Sequence, residues 1–453
     1  MACAAVRDAA GDAVEDVLVV RNVNVVELDA GRVVAARDVV VRGGRIVRVS
    51  PTSASPVEGR AVDGTGKFLI PGLWDMHAHP HRGGRAATHY PLHVAYGVTG
   101  IRAPGAPLDS ILAWRRAWSP DSLAPRVWWG SPIVDGDPPV LDWSVVVPDS
   151  ASAARVVARL DSLGVHFVKV YDRLSRPAYF ALAAEARRRG LAVEGHVPLR
   201  VTPAEAVDAG QRAIDHLTLV LESCVPGALE RAAAGWRTES MLLLADERLA
   251  ASLDRYDAAA CDRLFARFRQ AGTWHVPTAV QARGYFRADS AADPRDALVP
   301  RAMLAEWRGY AARLPAARRA AGRRVVRRQL ELVGAMHRAG VHVLAGTDAS
   351  DEPWVYPGAS LHDELALLVE AGLSPLDALR AATIEPARYL GATDTLGLVA
   401  EGHAADLVLL DANPLQDIRA TTRIAAVVLR GRLLDRAALD GLLAGVRRRA
   451  AAP

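Results

Sequence analysis

The apolar residues fall with a different period in the middle of the chain than at its two ends. Residues 17–28 (VLVVRNVNVVEL), 38–50 (DVVVRGGRIVRVS) and 66–70 (GKFLI) are short valine-rich runs cut by Gly and Asp, the pattern of β-strands joined by tight turns. The same pattern returns at ADLVLLDANP (405–414) and AAVVLRGRLL (425–434), before a last helical stretch near 436–449. Two strand-rich segments bracketing the middle predict one small β-sandwich built from both termini, residues 1–70 and 396–453.

Between them, in residues 71–395, apolar strand-like runs alternate with amphipathic helical ones, as in parallel α/β sheets. The expected strands are LWDMHAH, VTGIRA, RVWWGSPIV, VHFVKVY, LAVEGHV, AIDHL, WHVPT and VHVLAGTD. Helical patterns such as PAYFALAAEARRRG and RRQLELVGAMHRAG fall between them and close on Gly. Eight such units predict a closed (β/α)₈ TIM barrel, an α/β fold. The stretch from 221 to 325 is longer than one crossover requires and is expected to place extra helices over the barrel mouth near the sixth and seventh strands.

In parallel barrels the chemistry sits at the C-terminal ends of the strands, and metal-binding residue types collect there. The first strand ends in His77-Ala78-His79, whose two-residue spacing turns both imidazoles to one side. Lys169 lies inside the apolar fourth strand, where a bare ammonium is costly and must be paired or chemically altered. Of 55 basic residues only Lys67 and Lys169 are lysines, so Lys169 stands where an amine does something guanidinium cannot. Reaction with CO₂ would make it a carbamate able to bridge two cations. His196 and His216 close the fifth and sixth strands and suit a second ion, since neutral imidazoles are common metal ligands. Asp348 ends the eighth strand, beside the first once the barrel closes, where its carboxylate suits a metal ligand and general base.

At these residues the chain resembles the metal-dependent amidohydrolase superfamily, in particular its imidazolonepropionase-like or prolidase-like branch. The likeness runs through LIPGLWDMHAHP, VKVYDRLSRPAYFALAAEARRRGLAVEGHVP, AGQRAIDHL, VLAGTDAS, PGASLHDELALLVEAGLSPLDALRAATIEPARYLG and GLVAEGHAADLVLLDANPLQDI. The resemblance implies His77 and His79 on the more buried ion, a carbamate on Lys169 as bridge, His196 and His216 on the second ion, and Asp348 as ligand and base. It also maps a substrate-binding histidine onto His362. Two departures stand out: Ala103 ends the second strand where the family usually has an acidic residue, and imidazolonepropionases proper lack the bridging lysine. Two divalent ions are implied, Zn²⁺ first, with Mn²⁺, Fe²⁺ or Co²⁺ also fitting.

The expected activity is hydrolysis of an amide or peptide bond in a dipeptide, N-acyl amino acid or related small amide. The alternatives are a lactonase, carbamate hydrolase or phosphotriesterase on the same centre, or a non-catalytic scaffold. Tyr171, Arg173, Arg200 and Arg283 are placed where they would meet a substrate carboxylate, or stand as rim charges in water.

Charge and cysteine content exclude other classes. The net charge of +4, with no basic stripe carrying interleaved aromatics, argues against nucleic acid. No apolar run reaches the length of a membrane span. Three cysteines, Cys3, Cys224 and Cys261, argue against a disulfide framework and for a reducing, cytoplasmic setting, with export on a trimmed signal as the alternative. The expected partner is a small-molecule substrate, with a homo-oligomer left open.

Overall fold

The computed structural model describes residues 17–55, 58–117, 119, 122–235, 247–287, 292–349 and 352–452. Eight strands from the two ends form one hydrogen-bonded sheet. They are β1 (Leu18–Glu27), β2 (Arg32–Arg42), β3 (Arg45–Pro51), β4 (Arg60–Asp63) and β5 (Phe68–Pro71) from the N-terminal part, with β16 (Leu407–Leu410), β17 (Ile424–Leu429) and β18 (Arg432–Asp435) from the C-terminal part. The order is β18-β17-β16-β5-β1-β2-β3, with β4 beside β1. Both termini do build it, through the antiparallel pairing of β5 with β16 (Leu69 opposite Leu409, Ile70 opposite Val408). The expected sandwich of two sheets is instead a single curled sheet. Ile46 N bonds His403 O and Gly402 N bonds Ile46 O, bringing β3 round towards the start of β16. The sheet wraps its own apolar core of Val23, Val25, Val39, Ile46, Leu407 and Val428.

The middle of the chain alternates strands and helices as its periodicity predicts. β6 (Leu73–Asp75), β7 (Val98–Ala103) and β8 (Arg126–Trp129) form a parallel three-stranded sheet. A second parallel sheet runs β10-β9-β11-β12-β13-β14-β15, from β9 (Ile133–Asp135), β10 (Val145–Val146), β11 (Phe167–Val170), β12 (Ala192–Gly195), β13 (Gln211–Asp215), β14 (Trp274–Val276) and β15 (His342–Val343). The arrangement is of TIM-barrel type, but the ladders do not run unbroken around it. The run RVWWGSPIV, expected as one strand, divides at Gly130-Ser131-Pro132 into β8 and β9, which belong to different sheets. The two sheets are nonetheless joined on both sides. Ser131 N bonds Phe167 O and His166 N bonds Trp129 O at one seam, while Met76 N bonds Ala345 O and Asp348 N bonds His77 O at the other.

One residue, Gly72, takes the chain from β5 to β6. A Cβ there would lie 2.0 Å from Thr99 Oγ1, so only glycine lets the terminal sheet lie this close to β7. Helices start on side-chain caps that the sequence supplies: Asp149 before Ser150–Ser162, Ser175 before Arg176–Arg188 and Thr202 before Pro203–Asp208. The long stretch after β13 does carry extra helices, Ala228–Ala234, Glu247–Ser252 and Ala258–Ala271, and β14 is followed by Ala279–Tyr285, Arg301–Arg313 and Ala316–Arg338.

A disulfide joins Cys224 to Cys261 across 37 residues, so the cysteines do form a covalent brace and no longer argue for a reducing setting. Cys3 lies outside the described residues. Among the described residues no helix is long and apolar enough to cross a membrane.

Candidate metal centre

The site is assembled where β6 and β15 run past their last ladder residues. Ala78 makes a parallel bridge to Ala349, and His79 N bonds Ala349 O at 2.8 Å. This holds His77, His79 and Asp348 side by side although 269 residues separate His79 from Asp348. Gly346 permits the approach: a Cβ there would lie 2.8 Å from His77 N and 2.9 Å from His77 Cβ. Asp348 itself has φ 61°, His216 φ 58° and Thr278 φ 49°, all left-handed and costly for residues with a Cβ. Such backbone strain gathered in one place commonly marks a functional site.

The donor atoms converge. His79 Nε2 lies 3.2 Å from His77 Nε2 and 2.8 Å from Asp348 Oδ1, and His77 Nε2 lies 3.1 Å from the same oxygen. All three residues are buried, at 0, 5 and 6% exposure. Adjacent rings extend the group: His216 lies with its ring centre 4.6 Å from that of His77 and 5.0 Å from that of His196. Tyr171 stacks on His196 at 4.0 Å. Lys169, 1% exposed, reaches Asp215 Oδ2 with its Nζ at 2.5 Å.

Three of the four imidazoles are braced on their other nitrogen. Nδ1 of His79 bonds Gly105 O at 3.0 Å, that of His196 bonds Asp172 Oδ1 at 2.6 Å, and that of His216 bonds Thr278 Oγ1 at 2.7 Å. His77 Nδ1 faces Asp215 Oδ1 over a longer 3.3 Å. A carbonyl only accepts, so His79 Nδ1 must donate; in the neutral ring its Nε2 then carries a lone pair. Burial keeps His79 neutral, with its pKa lowered to about 4, and pushes His196 and His216 well below the ordinary histidine value. Lone pairs of His79 and Asp348 thus point at one another across 2.8 Å. That arrangement repels unless a cation lies among them, and neutral imidazole with carboxylate is the donor set of a divalent metal. His77, His79 and Asp348 fit such an ion.

Beneath the cluster lies a charge network that sequence reasoning missed. Arg102, fully buried, bonds Glu194 Oε2 at 2.9 and 2.7 Å and Asp215 Oδ1 at 3.2 Å. Arg102 and Lys169 therefore face Glu194 and Asp215, two charges against two. The argument applied to Lys169, a cation inside an apolar strand, applies equally to Arg102 in VTGIRA and would have found it. Asp215 was obscured by alternation: it directly precedes His216, and neighbours on a strand point to opposite faces. The left-handed turn at His216 lets both reach His77.

The structure brings His77, His79, Lys169, His196, His216, Asp348 and Tyr171 to one end of the parallel strands. It does not bring His362 there. The ring of His362 is held by Thr421 Oγ1 at Nδ1 (2.9 Å) and by Tyr96 O at Nε2 (3.0 Å). Tyr96 directly precedes Gly97, whose carbonyl accepts from Leu73 at the start of β6. His362 therefore packs at the opposite end of the strands from His77 and ties the helix Ala359–Glu370 to the terminal sheet. Two of the arginines considered for substrate are engaged elsewhere. Arg283 pairs with Glu370 at 3.2 Å on the surface, and Arg173 bonds the carbonyls of Pro138 and Pro139.

Known proteins were compared with the chain. A 38% identical match to ochratoxinase of Aspergillus niger covers 84 residues, 18% of this chain and 16% of that protein. Adenine deaminase 2 of Jannaschia sp. (strain CCS1) is 40% identical over 80 residues, 18% of this chain and 13% of that protein. The matches thus span less than a fifth of these relatives' length. Solved structures align over nearly the whole chain. Bottromycin amidohydrolase superposes with a TM-score of 0.74 at 27% identity, covering 96% of this chain and 90% of that one. A Xaa-Pro dipeptidase with bound methionine in the active site gives 0.68 at 17% identity, covering 93% and 100%, and likeness at that level is one of fold. The Amidohydrolase family model matches residues 173–434, more than half the chain, and the chain belongs to that family.

Proposed function

We propose that the protein is a metal-dependent hydrolase that cleaves an amide or peptide bond of a small molecule at a centre of two divalent ions, Zn²⁺ first. The observation that carries this is the convergence of His77 Nε2, His79 Nε2 and Asp348 Oδ1 within 3.2 Å of one another, with His79 braced at Nδ1 by Gly105 O. The seams at Ser131 and Met76 support a closed (β/α)₈ barrel of residues 71–395 behind it, with 1–70 and 396–453 as the terminal sheet and last helix.

In this reading His77, His79 and Asp348 would hold one ion and His196 and His216 the other, with Lys169 serving both. Such ions, when bound, acidify water and polarise a carbonyl. Asp348, ionised and within hydrogen-bond reach of the cluster, takes the proton from the attacking water and returns it to the leaving amine. Tyr171, stacked against His196, forms part of the substrate wall. Lys169 acts as a carbamate. Burial lowers its pKa and favours the neutral amine, against the pull of Asp215. The amine nitrogen would then bond the carbon of CO₂, one C=O π bond opening to an oxyanion and the released proton passing to water. Asp215 Oδ2, 2.5 Å away, holds the amine in place, and although burial pushes its carboxyl upward, Arg102 and Lys169 keep it ionised.

Elemental analysis of the purified protein, with a panel of dipeptides, N-acyl amino acids, lactones, carbamates and phosphotriesters, tests the proposal. Bound divalent metal and turnover confined to amides support it. A metal-free protein that stays inactive after loading would remove it, and turnover of esters or phosphotriesters alone would change the bond.

A further inference from the structure

On the far side of His216 lies a cavity of about 510 Å³, bounded by Pro277 after β14 and by the helices Ala279–Tyr285 and Ala316–Arg338. Its size is that of a small-molecule site. The walls are mainly apolar, with Leu217, Leu249, Phe286, Val326, Leu330 and Val333 among them. Much of this wall comes from the long stretches that follow β13 and β14, which gives those stretches a task.

Polar side chains interrupt the apolar lining, among them Glu222, Gln281, Arg313 and Arg318. Gln281 is 4% exposed and lines the cavity, yet among the described residues no protein group hydrogen-bonds its carboxamide. The carboxamide is not sealed away from the cavity, so it is a fixed polar group in a largely apolar wall with which a ligand can pair. Gln281 sits three residues after Thr278, which braces His216, so this wall of the cavity is continuous with the ion cluster. Arg313 and Arg318 also line the cavity. They are exposed and half-exposed where the apolar lining is buried, which sets them at its open side, and no carboxylate of the described residues pairs with either.

We propose that this cavity selects the substrate. It receives the bulky apolar group of an amide whose scissile bond lies at the ion cluster, Gln281 hydrogen-bonds that substrate, and Arg313 and Arg318 hold its carboxylate at the open side. The substrate class is an N-acyl amino acid or dipeptide bearing an aromatic-sized residue and a free carboxylate. This rests on the reading of the cluster as a hydrolytic centre.

The test compares N-acetyl-L-phenylalanine, N-acetylglycine and N-acetyl-L-phenylalaninamide on the metal-loaded protein, with binding of each to the protein as purified measured by calorimetry. Phenylalanine should be preferred over glycine at least thirtyfold in kcat/KM, and over its amide at least tenfold. Val333→Trp, which fills the cavity, and Gln281→Leu should each cut the phenylalanine-to-glycine ratio at least tenfold. Arg313→Ser with Arg318→Ser, at exposed positions safe for folding, should cut the acid-to-amide ratio instead. Equal handling of phenylalanine and glycine, or ratios untouched by these variants, overturns the pocket while leaving a hydrolase in place. If no amide is cleaved, the hydrolytic reading fails, and the calorimetric preference and its loss in Val333→Trp still decide the pocket.

Discussion

Lys169 Nζ and Asp215 Oδ2 stand 2.5 Å apart with both side chains essentially closed to solvent. Asp215 also meets Arg102 and faces His77, so one carboxylate links the amine, the buried guanidinium and a metal-site imidazole.

If Lys169 bridges two ions as a carbamate, Lys169→Ala should lower kcat/KM by at least about a hundredfold, the scale of losing a group that orients the chemistry. Bound metal should fall towards one ion per chain, and short carboxylic acids should restore part of both. Metal analysis and rescue kinetics check this. Unchanged metal with full activity would dismiss the bridge.

Asp348→Asn keeps the shape of the side chain but removes its capacity to accept a proton. Turnover should fall by about 10²–10⁴-fold, the range for a general base, while circular dichroism stays unchanged. A near-native rate would mean that another group takes the proton.

Arg102→Met leaves Glu194 buried without its bonded cation and Asp215 with Lys169 alone. Breaking a buried ion network from one side costs about 3–5 kcal/mol, read as a lowered urea midpoint. Adding Glu194→Gln should recover part of that loss, because one unmatched charge goes with it. No recovery in the double variant would mean that Arg102 matters through packing alone.

The buried imidazoles set an acid limit. Burial lowers His79, His81, His93 and His362 to about 4 and His275 to about 3, with His89, His196 and His216 well below the ordinary value of 6.5. Burial acts oppositely on three carboxyls, raising Asp75 and Asp135 to about 6 and Glu364 to about 8. Between pH 6.5 and 4 the unfolded chain therefore binds protons at eight histidines that the fold keeps neutral, against three carboxyls that the fold keeps protonated. The unfolded state binds more, so stability rises with pH across this window and is lost as pH falls through it. Urea unfolding of the metal-stripped protein at pH 7 and pH 5 should show a loss of at least about 3 kcal/mol. An equal or higher midpoint at pH 5 would contradict neutral burial of these rings.

The strand periods, the end-of-strand histidines and the lone buried lysine were legible in the sequence because each depends on local spacing. A period of two puts His77 and His79 on one side whatever the rest of the chain does, and an amine in the apolar strand β11 demands a partner wherever that strand packs. What spacing could not show was which distant groups meet. Asp215 joins Lys169 only because β11 and β13 flank β12, and His216 turns back towards His77 through a left-handed residue that no alternation rule foresees. His362 carries a motif in sequence, yet the packing of its helix against Tyr96 and Thr421 carries it to the other end of the strands. The pairing of Cys224 with Cys261 and the cavity beside Gln281 likewise exist only once helices far apart in the chain are packed together. Local chemistry follows from residue type and period, whereas the meeting of charges, rings and cavity walls is decided by how the whole chain closes.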